Sequence, residues 1–231
     1  MKTKPMIFNA EMVQALVSGK KTVTRRQVKP EPEPSGLGYD WWPSNKFGSM
    51  IRVSDFESIK FDYARDGTID IASDACPIAN IGDLIWVRET FCHGPCGNAS
   101  ELILYRSGYP QPELKRKYES VMSGEEIKWT PSIHMPRWAS RLTLKVTDVR
   151  IERVQKITEE QAVMEGMPTD EECQRMAVDS GLGWHKKPTV WFKELWNRIY
   201  SNWSDNPYVW VIEFEVIHQN IDKYLELMEA V

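Results

Sequence analysis

The hydrophobic pattern divides the chain into short apolar runs separated by polar breaks. Met6-Ile7-Phe8 reads as a short strand. Asn9 then predicts an N-cap for a helix through Val17, because Met12, Val13, Leu16 and Val17 recur at helical spacing. Gly19 fits the stop of that helix. Thr22 to Val28 alternates well enough for a strand. Pro30 to Gly36, with its Glu-Pro repeats, breaks the pattern. Residues 31–77 are irregular and rich in aromatics, with a hairpin expected near Asp66-Gly67. Leu84 to Phe91 predicts a strand after the turn Ile81-Gly82-Asp83, and 92–131 is a second irregular stretch.

Arg141 to Ile151 predicts a long alternating strand. Thr158-Glu159-Glu160-Gln161 has the form of a capping box, opening a short helix that Gly166 and Pro168 close. Val190 to Tyr200 is an amphipathic helix, with Trp191, Phe192, Leu195, Trp196 and Ile199 on its core side. Tyr208 to Ile217 is a strand rich in β-branched and aromatic residues, and Ile221 to Ala230 a terminal helix. Short helices between strands, without regular βα alternation, predict an α+β fold built on a mixed barrel or curled sheet.

Composition narrows the function classes. The 231 residues suit one large domain, and a 42% hydrophobic fraction supports a real core. A formal net charge of −4 does not mark the whole chain as a nucleic-acid binder. Charge is uneven, however. Residues 1–30 hold seven cations against Glu11 alone, and 205–231 hold six acids against Lys223 alone. A basic corner on an acidic chain predicts a locally held anionic ligand. No stretch is long and apolar enough for a membrane span, and the N-terminus does not read as a signal peptide. Four cysteines do not make a disulfide framework, so reduced thiols and a cytoplasmic location are expected.

The densest chemistry lies in Ser18 to Arg26, with four cations and two threonines directly after the first helix. Thr24 and Arg26 share one face of an ideal strand. Lys21 falls out of phase with them and reaches Thr24 only if it belongs to the turn. His134, Arg137, Trp138 and Arg141 interleave cations with an aromatic, a mix suited to a stacked nucleobase or to a loop that caps the core. Arg88 and Glu89 alternate sides of their strand, which leaves one of them facing a pocket. Cys92-His93-x-x-Cys96, with Cys76 upstream, is a minority reading as a zinc site, because it lacks a paired Cys-x-x-Cys set.

Three stretches together resemble the ASCH domain of the PUA-like superfamily: Gly19-Lys20-Lys21-Thr22-Val23-Thr24-Arg25-Arg26, Gly82-Asp83 before Leu84-Ile85-Trp86-Val87-Arg88-Glu89, and Ile157 to Ala162 followed by Glu165-Gly166. Pro131 to Arg141 and Asn206 to Ile212 are similar to the longer form carried by phages and prophages. The resemblance implies a single ASCH domain over 1–231, a mixed β-barrel with insertions at about 31–77 and 92–130. It also implies an amidohydrolase acting on an acylated pyrimidine nucleoside such as N(4)-acetylcytidine, without a cofactor. Carried over residue by residue, Lys21, Thr24 and Glu165 become the catalytic candidates, as base, nucleophile and acid/base. Arg26 is carried over with them, and it joins Arg25, Arg88, Glu89, His134, Arg137 and Trp138, read from their own charge and ring chemistry, as the candidates for substrate binding. The alternatives are an RNA or modified-nucleotide binding module and, more weakly, a ribonuclease.

Overall fold

A computed structural model describes residues 1–37, 40–44, 49–53, 75–93, 102–109, 127–172 and 187–230. Its principal sheet has the strand order β1-β6-β9-β10-β2. These strands are β1 (Thr3–Ile7), β2 (Val23–Gln27), β6 (Leu84–Arg88), β9 (Thr143–Arg153) and β10 (Tyr208–Ile217). Strands β1 and β6 run parallel, while β6–β9 and β10–β2 are antiparallel. The α+β class and the mixed sheet are as expected. The closed barrel is not: among the described residues β1 and β2 are the two edges of an open sheet.

The chain divides into two compact units. One comprises Met1–Gly19, Leu84–Lys145 and Val216–Val231. In it β1 pairs with β6 from Thr3↔Leu84 to Ile7↔Arg88. Helix α1 (Ala10–Val17) starts at Asn9, whose Oδ1 accepts from Met12 N at 2.8 Å. It buries Val13, Ala15 and Leu16. Gly19 follows at φ +72°, a left-handed conformation that Gly adopts without a Cβ penalty. The expected strand from Leu84 to Phe91 is split in two. β6 ends at Arg88, and β7 (Phe91–His93) pairs antiparallel with β8 (Ile103–Tyr105). Phe91 packs with Met135 and Ala139, and Cys92 with Leu104 and Ile127. The helix over Ile221–Glu229 (called α4) starts at Asn220.

The other unit comprises Lys20–Asp83 and Val146–Glu215. Here β2 pairs with β10 from Val23↔Glu213 to Gln27↔Val209. The buried side chains of β10, from Tyr208 to Ile212 and at Phe214, match its continuous apolar run. Helix α2 (Glu159–Met164) opens with the expected capping box: Gln161 N donates to Thr158 Oγ1, and Gln161 Oε1 accepts from Thr158 N. Helix α3 (Pro188–Tyr200) begins with proline in its first turn, where the absent N–H costs nothing. It buries Phe192, Leu195 and Trp196, whereas Ile199, expected on the core side, is largely exposed.

The first irregular stretch contains more order than its pattern suggests. β3 (Glu33–Pro34), β4 (Asp40–Ser44) and β5 (Ser49–Val53) form a small antiparallel sheet. The hairpin expected at Asp66-Gly67 lies outside the described residues.

Candidate functional site

Lys21 precedes β2 and forms an isolated antiparallel bridge with Glu165. It therefore stands before the strand whose alternation would have put it out of phase with Thr24. Thr22 N donates to Met164 O, and Phe214 N donates to Thr22 O, so the segment is fixed on both sides. Glu165 is the C-cap of α2. Gly166 follows at φ +98° and turns the chain away. The capping box thus fixes where α2 begins, and its short length brings Glu165 level with Lys21.

The Lys21 ammonium donates to Glu165 Oε2 at 2.6 Å and to the Glu165 carbonyl oxygen at 2.9 Å. Lys21 is 0% exposed and Glu165 3%. Glu165 Oε1 accepts from Arg25 Nη1 at 3.2 Å. Arg25 Nη2 donates to Gln161 Oε1 at 2.7 Å and reaches Glu152 Oε2 at 3.4 Å. The Arg25 guanidinium also lies 5.8 Å from the centre of the Phe192 ring. Its Nε is buried without an acceptor among the described residues.

Burial is the largest influence on Lys21 and holds its pKa below the ordinary lysine value. Glu165 acts against this, by charge and by hydrogen bonding, and raises it. Arg26 and then Arg25 lower it again. Desolvation thus ranks ahead of both arginines.

Thr24 is buried, 3% exposed, and lies opposite Ile212 in the β2–β10 ladder. Strand alternation puts it on the face of β2 shared with Arg26, away from Val23 and Arg25. Of the two arginines, Arg26 has the larger effect on the Lys21 ammonium, and it is the one on the Thr24 face. Among the described residues the Thr24 hydroxyl makes no hydrogen bond. Lys20, next to this group, is taken up by Glu172 at 2.6 Å.

Arg88, Glu89, His134, Arg137 and Trp138 belong to the other unit. Glu89 is buried, and Arg141 grips it with two bonds of 2.9 and 3.0 Å. Burial raises the Glu89 pKa, and the Arg141 bonds and charge oppose the rise. Arg141 also lies 4.1 Å over the Tyr105 ring. Arg88 donates to Ile133 O. Glu89 N donates to Met135 Sδ, and Ser140 Oγ to Val87 O. The Asn220 amide donates to the carbonyls of Arg137, Trp138 and Ser140. Arg137 pairs with Asp222 and donates to Thr3. The loop from 131 to 141 is thus tied down along its length, yet Trp138 is 55% exposed, with the His93 ring edge-on at 5.0 Å. His134 is exposed as well.

The zinc reading gains no geometry. Cys92 packs into an apolar cluster, while its strand neighbour His93 is exposed beside Trp138. Cys76 is buried and in no disulfide, and Cys96 lies outside the described residues. Among the described residues no three His, Cys, Asp or Glu side chains converge as a metal site. No described helix is long and apolar enough to cross a membrane.

Sequence reasoning missed two participants. Glu152 was not singled out, and Gln161 was read only as a helix cap. One signal was available for the first: Arg150 and Glu152, two apart on β9, must share a face. No family model, curated protein or solved structure matches the chain.

Proposed function

We propose that this chain is an ASCH-type amidohydrolase acting on an acylated pyrimidine nucleoside of the N(4)-acetylcytidine kind. The observation that carries the reading is the fully buried lysine with lowered proton affinity, joined to a buried glutamate and followed three residues later by a buried threonine. An amine held in this way gives up its proton more readily than a solvated lysine, which is the direction a base requires.

In the reaction the Thr24 hydroxyl oxygen bonds to the acyl carbon as its proton passes to the neutral Lys21 amine. The carbonyl π electrons move onto oxygen, and Arg26 faces that developing charge. Collapse of the tetrahedral species breaks the bond from carbon to the exocyclic nitrogen. The Lys21 ammonium returns its proton to that nitrogen, and cytidine leaves as a neutral amine. Water then hydrolyses the threonine ester by the same proton path, releasing the carboxylic acid. Glu165 orients Lys21 throughout and stabilises its ammonium stage. A carboxylate beside the lysine keeps the charged form accessible, and burial keeps the neutral form accessible; proton transfer in both directions needs both.

A second reading has its own support. The 55% exposed Trp138, on a loop fixed by Asn220 and Ser140, has the geometry of a stacking platform for an unpaired base. This is the binding-module alternative.

Incubation with N(4)-acetylcytidine, with acetate and cytidine as the measured products, separates the two. The amidohydrolase reading expects turnover in the unaltered chain, with about a hundredfold loss or more in Lys21→Ala and in Thr24→Ala. No turnover, together with salt-sensitive RNA binding that weakens in Trp138→Ala, would select the binding module instead.

A further inference from the structure

Its charge puts Arg25 among the candidate substrate contacts, but the structure gives it other work. Its side chain is buried, and its terminal nitrogens are directed at three protein acceptors: Glu165, Gln161 and Glu152. We propose that Arg25 is a positioning residue that divides the Glu165 carboxylate with Lys21 and so sets how firmly Lys21 holds its proton, with Glu152 on β9 as its counterweight. The inference rests on reading Lys21 as the base, although its test does not require turnover.

The division is visible in the bonds. Glu165 Oε2 serves Lys21 and Oε1 serves Arg25. A carboxylate shared between two cations attracts each proton less than one serving a single cation. Arg25 therefore acts on Lys21 twice, by its own charge and by claiming half of its partner. Glu152 is divided in the same manner: Oε2 lies toward Arg25, and Oε1 accepts from Arg150 Nε at 2.6 Å. Arg150 in turn holds Asp148 and Glu213, each at 2.6 Å. A chain of alternating charge runs from the half-exposed acids of β9 and β10 through Arg150, Glu152 and Arg25 to the buried pair. Among the described residues, Arg26 on β2 also acts on Lys21, and the Lys20–Glu172 pair adjoins it in the chain.

Stability alone does not account for the arrangement. The orphaned Arg25 Nε carries a desolvation cost, and apolar side chains of similar volume would pack without that loss. Gln161 adds a mechanical link. The side chain that caps α2 also accepts from Arg25, so the helix carrying Glu165 is oriented by the same guanidinium.

The test uses the whole chain with lysine labelled at Cε by carbon-13. The Lys21 resonance, assigned by its loss in Lys21→Met, is followed against pH in Arg25→Gln, Arg25→Lys and Glu152→Gln. Arg25→Gln is expected to raise the Lys21 midpoint by about one pH unit, the scale of one neighbouring charge. Glu152→Gln is expected to lower it, because Arg25 is then less compensated. Arg25→Lys, which keeps the charge, is expected to stay nearer the unaltered chain than Arg25→Gln. Midpoints that stay fixed, or that move the same way in Arg25→Gln and Glu152→Gln, would overturn the proposal. If Arg25→Gln does not fold, Glu152→Gln decides by itself: a downward shift supports the proposal, and no shift or an upward one overturns it. Failure of the amidohydrolase reading would show separately, as an unaltered chain that leaves acetylcytidine intact while these midpoints still move.

Discussion

The Lys21 ammonium and the Glu165 carboxylate meet at 2.6 Å, 144 residues apart in the chain and both out of reach of water. Removing one member of a buried pair typically costs about 3–5 kcal/mol, because the other keeps its desolvation penalty without its partner. Here the costs are unequal. Glu165→Ala strands Lys21 and takes one of three acceptors from Arg25, whereas Lys21→Met leaves Glu165 with Arg25. Urea unfolding is expected to show the larger loss in Glu165→Ala. Equal losses would mean that Arg25 does not share the carboxylate.

The same pair gives a pH dependence of stability. The folded chain holds the Lys21 proton less firmly than the ordinary lysine value of 10.5, which the unfolded chain keeps. Between the lowered folded value and 10.5 the unfolded state binds more protons, so this residue makes stability rise with pH. Lys21→Met is expected to flatten that rise when unfolding midpoints are measured across the window. An unchanged slope would place its origin elsewhere.

Tyr105 has the opposite sign. Its pKa is pushed up to about 12, first by burial, with Arg141 opposing and Glu89 assisting. Its hydroxyl donates to Ala139 O at 2.9 Å, a bond that needs the proton. The folded state therefore binds more protons above the ordinary tyrosine value of 10.0, and stability is lost as pH rises through the folded value. Tyr105→Phe is expected to be less stable at about pH 9, where it lacks the bond, and to lose less on going to about pH 11. Parallel pH curves for the two chains would contradict this.

The α2 cap carries a graded prediction. Thr158→Ala removes one cap bond, a loss of about 1 kcal/mol. Gln161→Ala removes its reciprocal bond and also an acceptor of Arg25, so it is expected to cost more. Thermal unfolding of the two variants compares them directly. A smaller loss in Gln161→Ala would show that the Arg25 contact is idle.

These contrasts also show what the sequence disclosed. Strand and helix positions followed from local pattern, as the Asn9 cap and the apolar run of β10 illustrate. The open sheet did not follow, because closure depends on how the edge strands β1 and β2 end, and no local spacing encodes that. Lys21 and Glu165 came together through motif resemblance, since nothing in spacing alone joins residues so far apart. The burial that lowers Lys21 was invisible for the same reason, because desolvation is a property of the packed chain. The bonds of Arg25 to Glu165, Gln161 and Glu152 were not legible, because an arginine beside a candidate nucleophile looks the same in sequence whether its donors are spent or open. Asn220, which holds three carbonyls of a loop some eighty residues away, gave no local signal at all.

The account depends most on burial outweighing the Glu165 charge at Lys21. The carbon-13 titration midpoint of Lys21 in the unaltered chain measures that balance. The account predicts a midpoint below the value of about 10.4 for a free lysine side chain. A midpoint at or above that value would contradict it, because Lys21 would then stay an ammonium wherever Thr24 needs a base.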